Sequence, residues 1–373
     1  MDKQFWAGKR VYLTGHTGFK GGWLALWLTS LGATVKGYSL QPPTTPSLFE
    51  VANINDIVES DIGDIRDTDA LQASMQSFKP DIVFHLAAQP LVRLSYKEPV
   101  DTFSANVMGT VNVLECVRNT ASVRSVVVVT SDKCYDNKEW HWGYREGEAL
   151  GGYDAYSASK ACAELVTNAY RQSFFQAKGD ASDCLIASAR AGNVIGGGDW
   201  ASDRLVPDVL NSLSAGEEIV IRNPNAIRPW QHVLEPLAGY MRLAQLLHTQ
   251  GATFAEAWNF GPPESGAQTV KWVTTKLISH WGTGTWRLEG GEHPHEATFL
   301  KLDCSKSREK LNWRPVWAPT EALMNTVNWH KAWTKNQTMQ AASLKDIERY
   351  TQNHQRLMDV GQSSVTQVEG IVS

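Results

Sequence analysis

The chain has 373 residues, 42% hydrophobic and 20% charged, with a formal net charge of −4. That length and balance suit a globular protein with a substantial core. The charge gives no electrostatic case for nucleic acid or an anionic membrane surface. No apolar run approaches the roughly 20 residues of a membrane span, and residues 1–6 lack the apolar core of a signal peptide. Cys116, Cys134, Cys162, Cys184 and Cys304 are scattered and without metal-ligand spacing. Reduced thiols, no metal and a cytoplasmic setting are therefore expected. Of the 15 tryptophans, most are expected in the core or an interface, and one or two against a ligand ring.

Arg10 to Thr14 reads as a short strand running into Gly15-His16-Thr17-Gly18-Phe19-Lys20-Gly21-Gly22. A helix pattern follows, with Trp23, Leu24, Trp27, Leu28 and Leu31 on one face and Gly32 as its stop. Thr34 to Tyr38 is the next strand. Strand, glycine loop, helix and strand in this order let a backbone approach a pyrophosphate at a helix N-terminus. Gly15, Thr17, Gly18, Phe19, Lys20 and Gly21 are thus candidate contacts to a dinucleotide, although a tight turn with no ligand uses the same residues. The second strand ends Tyr38-Ser39-Leu40-Gln41, with no acid for an adenosine ribose and no arginine for a 2′-phosphate. The expected cofactor is NAD, weakly held.

Ile57 to Ser60 reads as a third strand, followed by Asp64-Ile65, a pair suited to an adenine edge and face and equally to a solvated turn. Asp81 to Leu86 is a fourth strand, and the small Ala87 and Ala88 after Leu86 allow close approach of a cofactor. Pro99 to Asn119 is a long helix, Val126 to Thr130 a fifth strand, Ala155 to Phe175 a second long helix and Cys184 to Ala189 a sixth strand. The alternation argues an α/β fold, a doubly wound parallel sheet. Residues 1–190 form the dinucleotide-binding domain, with later returns near 226–260. Residues 191–335 form most of a smaller mixed α+β substrate lobe. Within it, a helix opens at Asp203-Arg204-Leu205-Val206-Pro207, and helices are expected over Leu237–Leu247 and Val270–His280. Short strands are expected over Glu218–Arg222, Trp286–Glu289 and Phe299–Asp303. Residues 336–373 are polar and read as a surface helix with a disordered end.

The chemistry concentrates between Val126 and Lys160. The fifth strand empties into Thr130-Ser131-Asp132-Lys133-Cys134-Tyr135, and the next helix carries Tyr156 and Lys160 four residues apart on one face. A free tyrosine has a pKa of roughly 10, poor for a base at neutral pH. An ammonium one turn away and a positive nicotinamide ring both favour the phenolate, and the Ser131 hydroxyl can share the hydrogen bond to a substrate oxygen. Tyr153 has no lysine four residues on. His85, at a strand end, reads as structural more readily than as catalytic.

These motifs, with His85-Leu86-Ala87-Ala88-Gln89-Pro90 and Arg228-Pro229-Trp230-Gln231-His232-Val233-Leu234-Glu235-Pro236, resemble the extended short-chain dehydrogenase/reductase family over roughly residues 5 to 335. More narrowly the chain resembles the nucleotide-sugar 4,6-dehydratases, and among them the branch acting on CDP-glucose. Most of that group has Asp-Glu after the hydroxyl residue; Asp132-Lys133 stands here. The resemblance implies a closed redox cycle in deoxysugar (O-antigen) synthesis. Tyr156 takes the 4-hydroxyl proton as C4 gives up hydride, Lys133 removes the C5 proton, Asp132 protonates the departing C6 hydroxyl, and the hydride returns to C6. Lys133 must act as a free amine for this; a plain ion pair with Asp132 is the alternative. The resemblance also implies that Arg228 and Arg204 hold the nucleotide diphosphate, with Leu205 and Val206 beside Arg204, Asn193 on the pyrophosphate and Asn259 nearby. Each is also a common structural residue. It further implies that Asn106 fixes the first long helix near Lys160, and that the chain is a homo-oligomer joined through the helices at 99–119 and 155–175. His293, His295 and Glu296 stand where relatives often place an arginine. A nucleotide-sugar 4-epimerase or plain dehydrogenase shares Tyr156 and Lys160 but has no need of Asp132-Lys133. A non-catalytic NAD-binding protein has no need of the pair at all.

Overall fold

A computed structural model describes residues 1–175, 184–290 and 299–369. Its frame is a seven-stranded sheet with parallel neighbours throughout. The first six strands are β1 (Arg10–Thr14), β2 (Thr34–Ser39), β3 (Glu59–Ile62), β4 (Ile82–His85), β5 (Ser125–Val129) and β6 (Leu185–Ala191). The lobe adds β7 (Val194–Ile195), β8 (Ile219–Ile221), β9 (Ile227–Pro229) and β10 (Gln231–His232). The chain then returns to the main sheet with β11 (Ala257–Phe260) before β12 (Ala267–Thr269) and β13 (Trp286–Leu288). The order across the main sheet is β11-β6-β5-β4-β1-β2-β3. Every residue of β4 and β5 is buried, as expected of strands covered on both faces by helices. One face packs Trp23, Trp27, Leu237, Tyr240 and Trp258; the other packs Leu71, Met75, Val113, Leu114 and Val117. The doubly wound sheet read from the sequence is present.

Several boundaries move. The third strand lies two residues later than Ile57–Ser60, because Ile54–Asp56 forms a 3-10 turn that directs Ile54 into the core. The helix from Pro99 is continuous to Arg118 but takes a π-turn at Ser104–Met108. The second helix, Ala155–Tyr170, likewise runs into a π-turn at Arg171–Phe175. The expected strand at Phe299–Asp303 is only an isolated bridge between Leu302 and Tyr144. In the lobe, β8 pairs with β13 and β9 with β12. Val206, Leu210, Ile219, Trp230, Val273 and Leu323 fill its separate core.

The polar stretch after Asn336 is more than a surface helix. The helix Met339–Glu369 buries Met339, Ser343, Ile347 and Tyr350. The Tyr350 ring meets Trp27 edge-on at 5.5 Å and its hydroxyl donates to Glu235 Oε2 at 2.6 Å. Polar composition hid a narrow apolar stripe at helical spacing. Residues 370–373 lie outside the described residues, as do His293, His295 and Glu296.

Candidate active site

The C-terminal ends of β1, β4, β5 and β6 converge, where open α/β sheets bind ligands. After β1 the chain turns through Gly15 at φ +82°, and a side chain at Gly15 would lie 2.7 Å from Ala87 N. A side chain at Gly21 would lie 2.1 Å from Gly15 O. The helix Phe19–Ser30 starts at Gly18 with no side-chain cap, so its first N–H groups stay open to an anion. A backbone cradle with no room for Cβ atoms, set at an uncapped helix start, fits a dinucleotide pyrophosphate. Thr17 is buried: its hydroxyl donates to Leu40 O at 2.9 Å and bonds Ser39 Oγ at 2.8 Å. It shapes the loop from below. Ser39, where an acid would hold a ribose, is therefore already engaged.

Leu86, Ala87 and Ala88 form a half-buried floor, with the Leu86 and Ala87 N–H groups tied to Thr14 Oγ1 at 3.2 Å each. His85 bonds Thr14 Oγ1 and Thr110 Oγ1, and burial lowers its pKa to about 3. It is a neutral structural residue. Ile65 is buried; Asp64 is clasped by the Arg66 guanidinium at 2.6 and 2.8 Å, below the ordinary carboxylate range. Of the pair, Ile65 can offer only a backbone edge and apolar surface, and Asp64 must share its oxygens with Arg66.

After β5, Ser131 caps a one-turn 3-10 helix, Asp132–Cys134, its Oγ accepting the Lys133 N–H at 3.2 Å and donating to Asp132 Oδ1 at 3.1 Å. The turn points Asp132 inward and leaves Lys133 half-buried. Asp132 Oδ2 is buried without a hydrogen-bond partner among the described residues. Burial raises the Asp132 carboxyl above the ordinary range, against the pull of Lys133, the Ser131 hydrogen bond, Lys20 and Arg228. The helix Ala155–Tyr170 begins at Asp154, which accepts the Ser157 N–H at 2.9 Å. In its first turn, Tyr156 hydrogen-bonds Ser131; burial pushes its phenol up to about 12 and that bond opposes the rise. Lys160 is buried, which lowers it to about 8. Tyr153 is exposed.

Lys20 projects into this same cluster. Burial lowers it to about 8, helped by the nearby cations Arg204 and Lys160 and opposed by Asp132 and Asp199. Arg204 pairs with Asp199 at 2.8 Å. Arg228 donates to Ile227 O at 3.0 Å and still acts on Asp132 through its charge. Lys133, Lys20 and Arg228 thus act on the Asp132 carboxyl, and Lys160 and Arg204 lie near Lys20, with Asn193 half-buried at the mouth of β6. Three expected substrate residues face elsewhere. Asn259 is fully buried: its Nδ2 donates to Tyr144 O at 2.8 Å and Asp303 O at 3.1 Å, and its Oδ1 accepts from Tyr135 at 2.7 Å. It pins loops together and has no atom left for a ligand. Val206 is buried in the lobe core, with Leu205 packed against it; they seat the helix that Arg204 starts.

Other residues support the site, Ser95, Glu164 and Arg190 without a signal in the sequence. Ser95 Oγ accepts the Tyr156 N–H at 3.1 Å. Asn106 occupies the π-turn, where its Nδ2 donates to Ser159 Oγ at 2.9 Å and Gln89 O at 3.0 Å, tying the first long helix to the Tyr156 helix as expected. Glu164 and Arg190 form a buried ion pair at 2.8 Å behind Lys160. Glu164 and Arg190 are 26 residues apart, so only the sheet brings them together.

The family model for GDP-mannose 4,6 dehydratase matches residues 13–326. The chain belongs to that family. It is 58% identical over 352 residues to a CDP-glucose 4,6-dehydratase of Salmonella typhimurium, spanning 94% of this chain and 98% of that protein. It is 32% identical to a UDP-glucose 4-epimerase of Mycolicibacterium smegmatis, over 86% of this chain and 98% of that one. Among solved structures, the dTDP-glucose 4,6-dehydratase of Streptomyces venezuelae superposes with a TM-score of 0.75 at 22% identity, covering 89% of this chain and 99% of that one. The UDP-glucose 4-epimerase of Thermotoga maritima gives 0.75 at 20% identity, covering 87% and 99%. The extended short-chain dehydrogenase fold expected from the sequence is thus the fold of both enzymes.

Proposed function

We propose that the protein is a lyase that converts CDP-glucose to CDP-4-keto-6-deoxyglucose and water with NAD bound in the glycine cradle. The observation that carries this reading is the buried carboxyl of Asp132 beside the Tyr156–Ser131 pair, its Oδ1 bonded to Ser131 and its Oδ2 without a hydrogen-bond partner among the described residues. An epimerase or simple dehydrogenase has no use for a second acid there; an elimination does. The choice of nucleotide rests on the 58% identical Salmonella protein. Gly15, Gly18, Phe19 and Gly21 would hold the NAD pyrophosphate through backbone, with Ala87 and Ala88 beneath. Bound NAD supplies the acceptor and donor of hydride.

The residues then divide the remaining work. Tyr156 accepts the 4-hydroxyl proton, its phenolate favoured by Lys160. Lys133 takes the C5 proton that the 4-keto group has acidified and returns a proton to C5 at the end. Asp132, whose carboxyl burial raises above the ordinary range, gives its proton to the C6 hydroxyl, which leaves as water. Over one cycle Tyr156 gains a proton and Asp132 loses one, and Ser131, hydrogen-bonded to both, lies between them. Arg204, Arg228 and Asn193 orient the nucleotide diphosphate, and Lys20 adds charge at the junction of the cofactor and sugar sites. With Ser39 already bound to Thr17 and no acid beside it in sequence, NAD is held weakly.

The test is direct. Protein incubated with CDP-glucose and NAD should develop the alkali-induced ultraviolet absorbance of a 4-keto sugar; CDP-galactose as the product instead would favour the epimerase. We further place the enzyme in the cytoplasm, in O-antigen deoxysugar synthesis, as a homodimer. Val100, Phe103, Met108, Leu165 and Phe174 leave the two long helices with exposed apolar surface, which supports pairing through them. Sedimentation at micromolar concentration, with Leu165→Glu as the disrupting variant, tests that assembly.

A further inference from the structure

We propose that Glu164 is a positioning residue of the redox site. It fixes the helix bearing Lys160 against the strand end bearing Ser131 and Asp132, and it sets a carboxylate one helical turn from Lys160. The proposal rests on reading Tyr156 and Lys160 as the redox pair.

Glu164 lies one turn beyond Lys160 on the same helix, and residues four apart share a face. Its side chain is 3% exposed. Thr130 Oγ1 donates to Oε1 at 2.5 Å; Ser188 Oγ and Arg190 Nη2 donate to Oε2 at 2.7 and 2.8 Å. Thr130 immediately precedes Ser131, and Ser188 and Arg190 lie on β6. One carboxylate therefore joins the Tyr156–Lys160 helix to the segment that carries the acid, and both to the neighbouring strand. Stability alone is a poor reason for it, since well-packed apolar residues usually do as well as a buried ion pair. Burial alone would raise Glu164, but Arg190 and the hydrogen bonds outweigh it and hold the carboxyl below its ordinary value.

The charge has a target. Burial lowers Lys160 to about 8, and Glu164 is the leading influence in the opposite direction. The other groups facing Lys160 supply no comparable anion. Lys20, from the helix after the glycine loop, is a like charge. His85 on β4 is held neutral, and Cys134 on the 3-10 turn is kept a thiol by burial. Tyr156, on the same helix, is the group Lys160 must serve. A neutral Lys160 could not favour its phenolate.

The test compares Glu164→Gln, Glu164→Asp and Thr130→Val with the wild-type enzyme, with thermal melts to establish folding. Lys160 is titrated by NMR of lysine-labelled protein, assigned with Lys160→Arg. The alkaline limb of kcat for 4-keto product is measured in parallel with CDP-glucose and NAD. In Glu164→Gln, Lys160 should titrate about one pH unit lower, the limb should follow, and kcat on that limb should drop about tenfold at unchanged KM. Glu164→Asp should restore the titration, and Thr130→Val should lower kcat without moving it. A folded Glu164→Gln that titrates and performs as wild type overturns the proposal. Should that variant not fold, a Thr130→Val enzyme with wild-type kcat overturns it. An active Tyr156→Phe would instead remove the reading of the redox pair beneath it.

Discussion

Replacing Lys133 with methionine isolates one step of the cycle. The Asp132–Cys134 turn is held by backbone: Ser131 Oγ accepts the Lys133 N–H at 3.2 Å, and Ser131 O accepts the Cys134 N–H at 3.3 Å. Neither bond involves the lysine side chain. Methionine follows the lysine side chain as far as Cε, so the turn, and Ser131 and Asp132 with it, should stay in place. Tyr156 and Lys160 sit on a separate helix capped by Asp154 and braced by Ser95. The loss is then chemical, and a positioned general base contributes about 10²–10⁴ in rate, roughly 3–5 kcal/mol of barrier. Removing the lysine also removes the leading influence that opposes the rise of Asp132, so the carboxyl should shift further up. The expected result is oxidation at C4 near the wild-type rate, seen as nicotinamide absorbance in a single turnover. Product formation should fall by about 10²–10⁴, with no exchange of C5 hydrogen for solvent deuterium. Product at the wild-type rate, or undiminished C5 exchange, would refute the assignment of Lys133 as the base.

Asp132→Asn should likewise permit C4 oxidation while blocking loss of water. In the wild type the elimination step should fade as pH rises through the raised Asp132 value, because the protonated form is the active one; rapid-quench product analysis across pH checks both. Gly192→Ala places a methyl 2.8 Å from Asp132 Oδ2 and 2.9 Å from Pro229 Cγ. It should lower kcat by at least tenfold, roughly 1.4 kcal/mol of barrier, while the melting temperature changes little. Tyr350→Phe takes a hydroxyl from fully buried Glu235 and should cost about 1–3 kcal/mol in urea unfolding. Burial raises Glu235 from 4.5 to about 7. The folded state thus holds this proton more tightly than the unfolded chain, and that stabilisation, full below pH 4.5, is lost as pH rises through 7. Glu235→Gln should flatten the stability curve across that window.

Most of the sheet was legible because buried parallel strands read as apolar runs bounded by glycine and small residues. The proximity of Tyr156 and Lys160, and of Ser131, Asp132 and Lys133, was legible because each group lies within one short stretch. Asn259 misled because a strand-end asparagine looks the same whether it faces a ligand or, as here, three loop partners. Glu164, Arg190 and Tyr135 were silent for a related reason. Buried polar residues resemble surface ones until the sheet pairs them, and Arg190 donates to both Glu164 and Tyr135. The third strand was misplaced because Ile57 and Val58 look strand-like yet pack against the core from a loop. The stripe of Met339, Ile347 and Tyr350 was masked by its charged neighbours.

That stripe bears on how the protein comes to be folded in a cell. Trp27, which leaves the ribosome well before the rest of its core, is covered by Tyr350, 323 positions later. The sheet itself gains its outer strand only with Ala257–Phe260. The cofactor-binding half therefore cannot close its core during synthesis, however early its own residues emerge. For most of translation it must wait with two tryptophans, Trp23 and Trp27, incompletely covered. Such a chain invites chaperone capture and should aggregate when truncated before residue 339, even though every residue of the proposed active site would still be present.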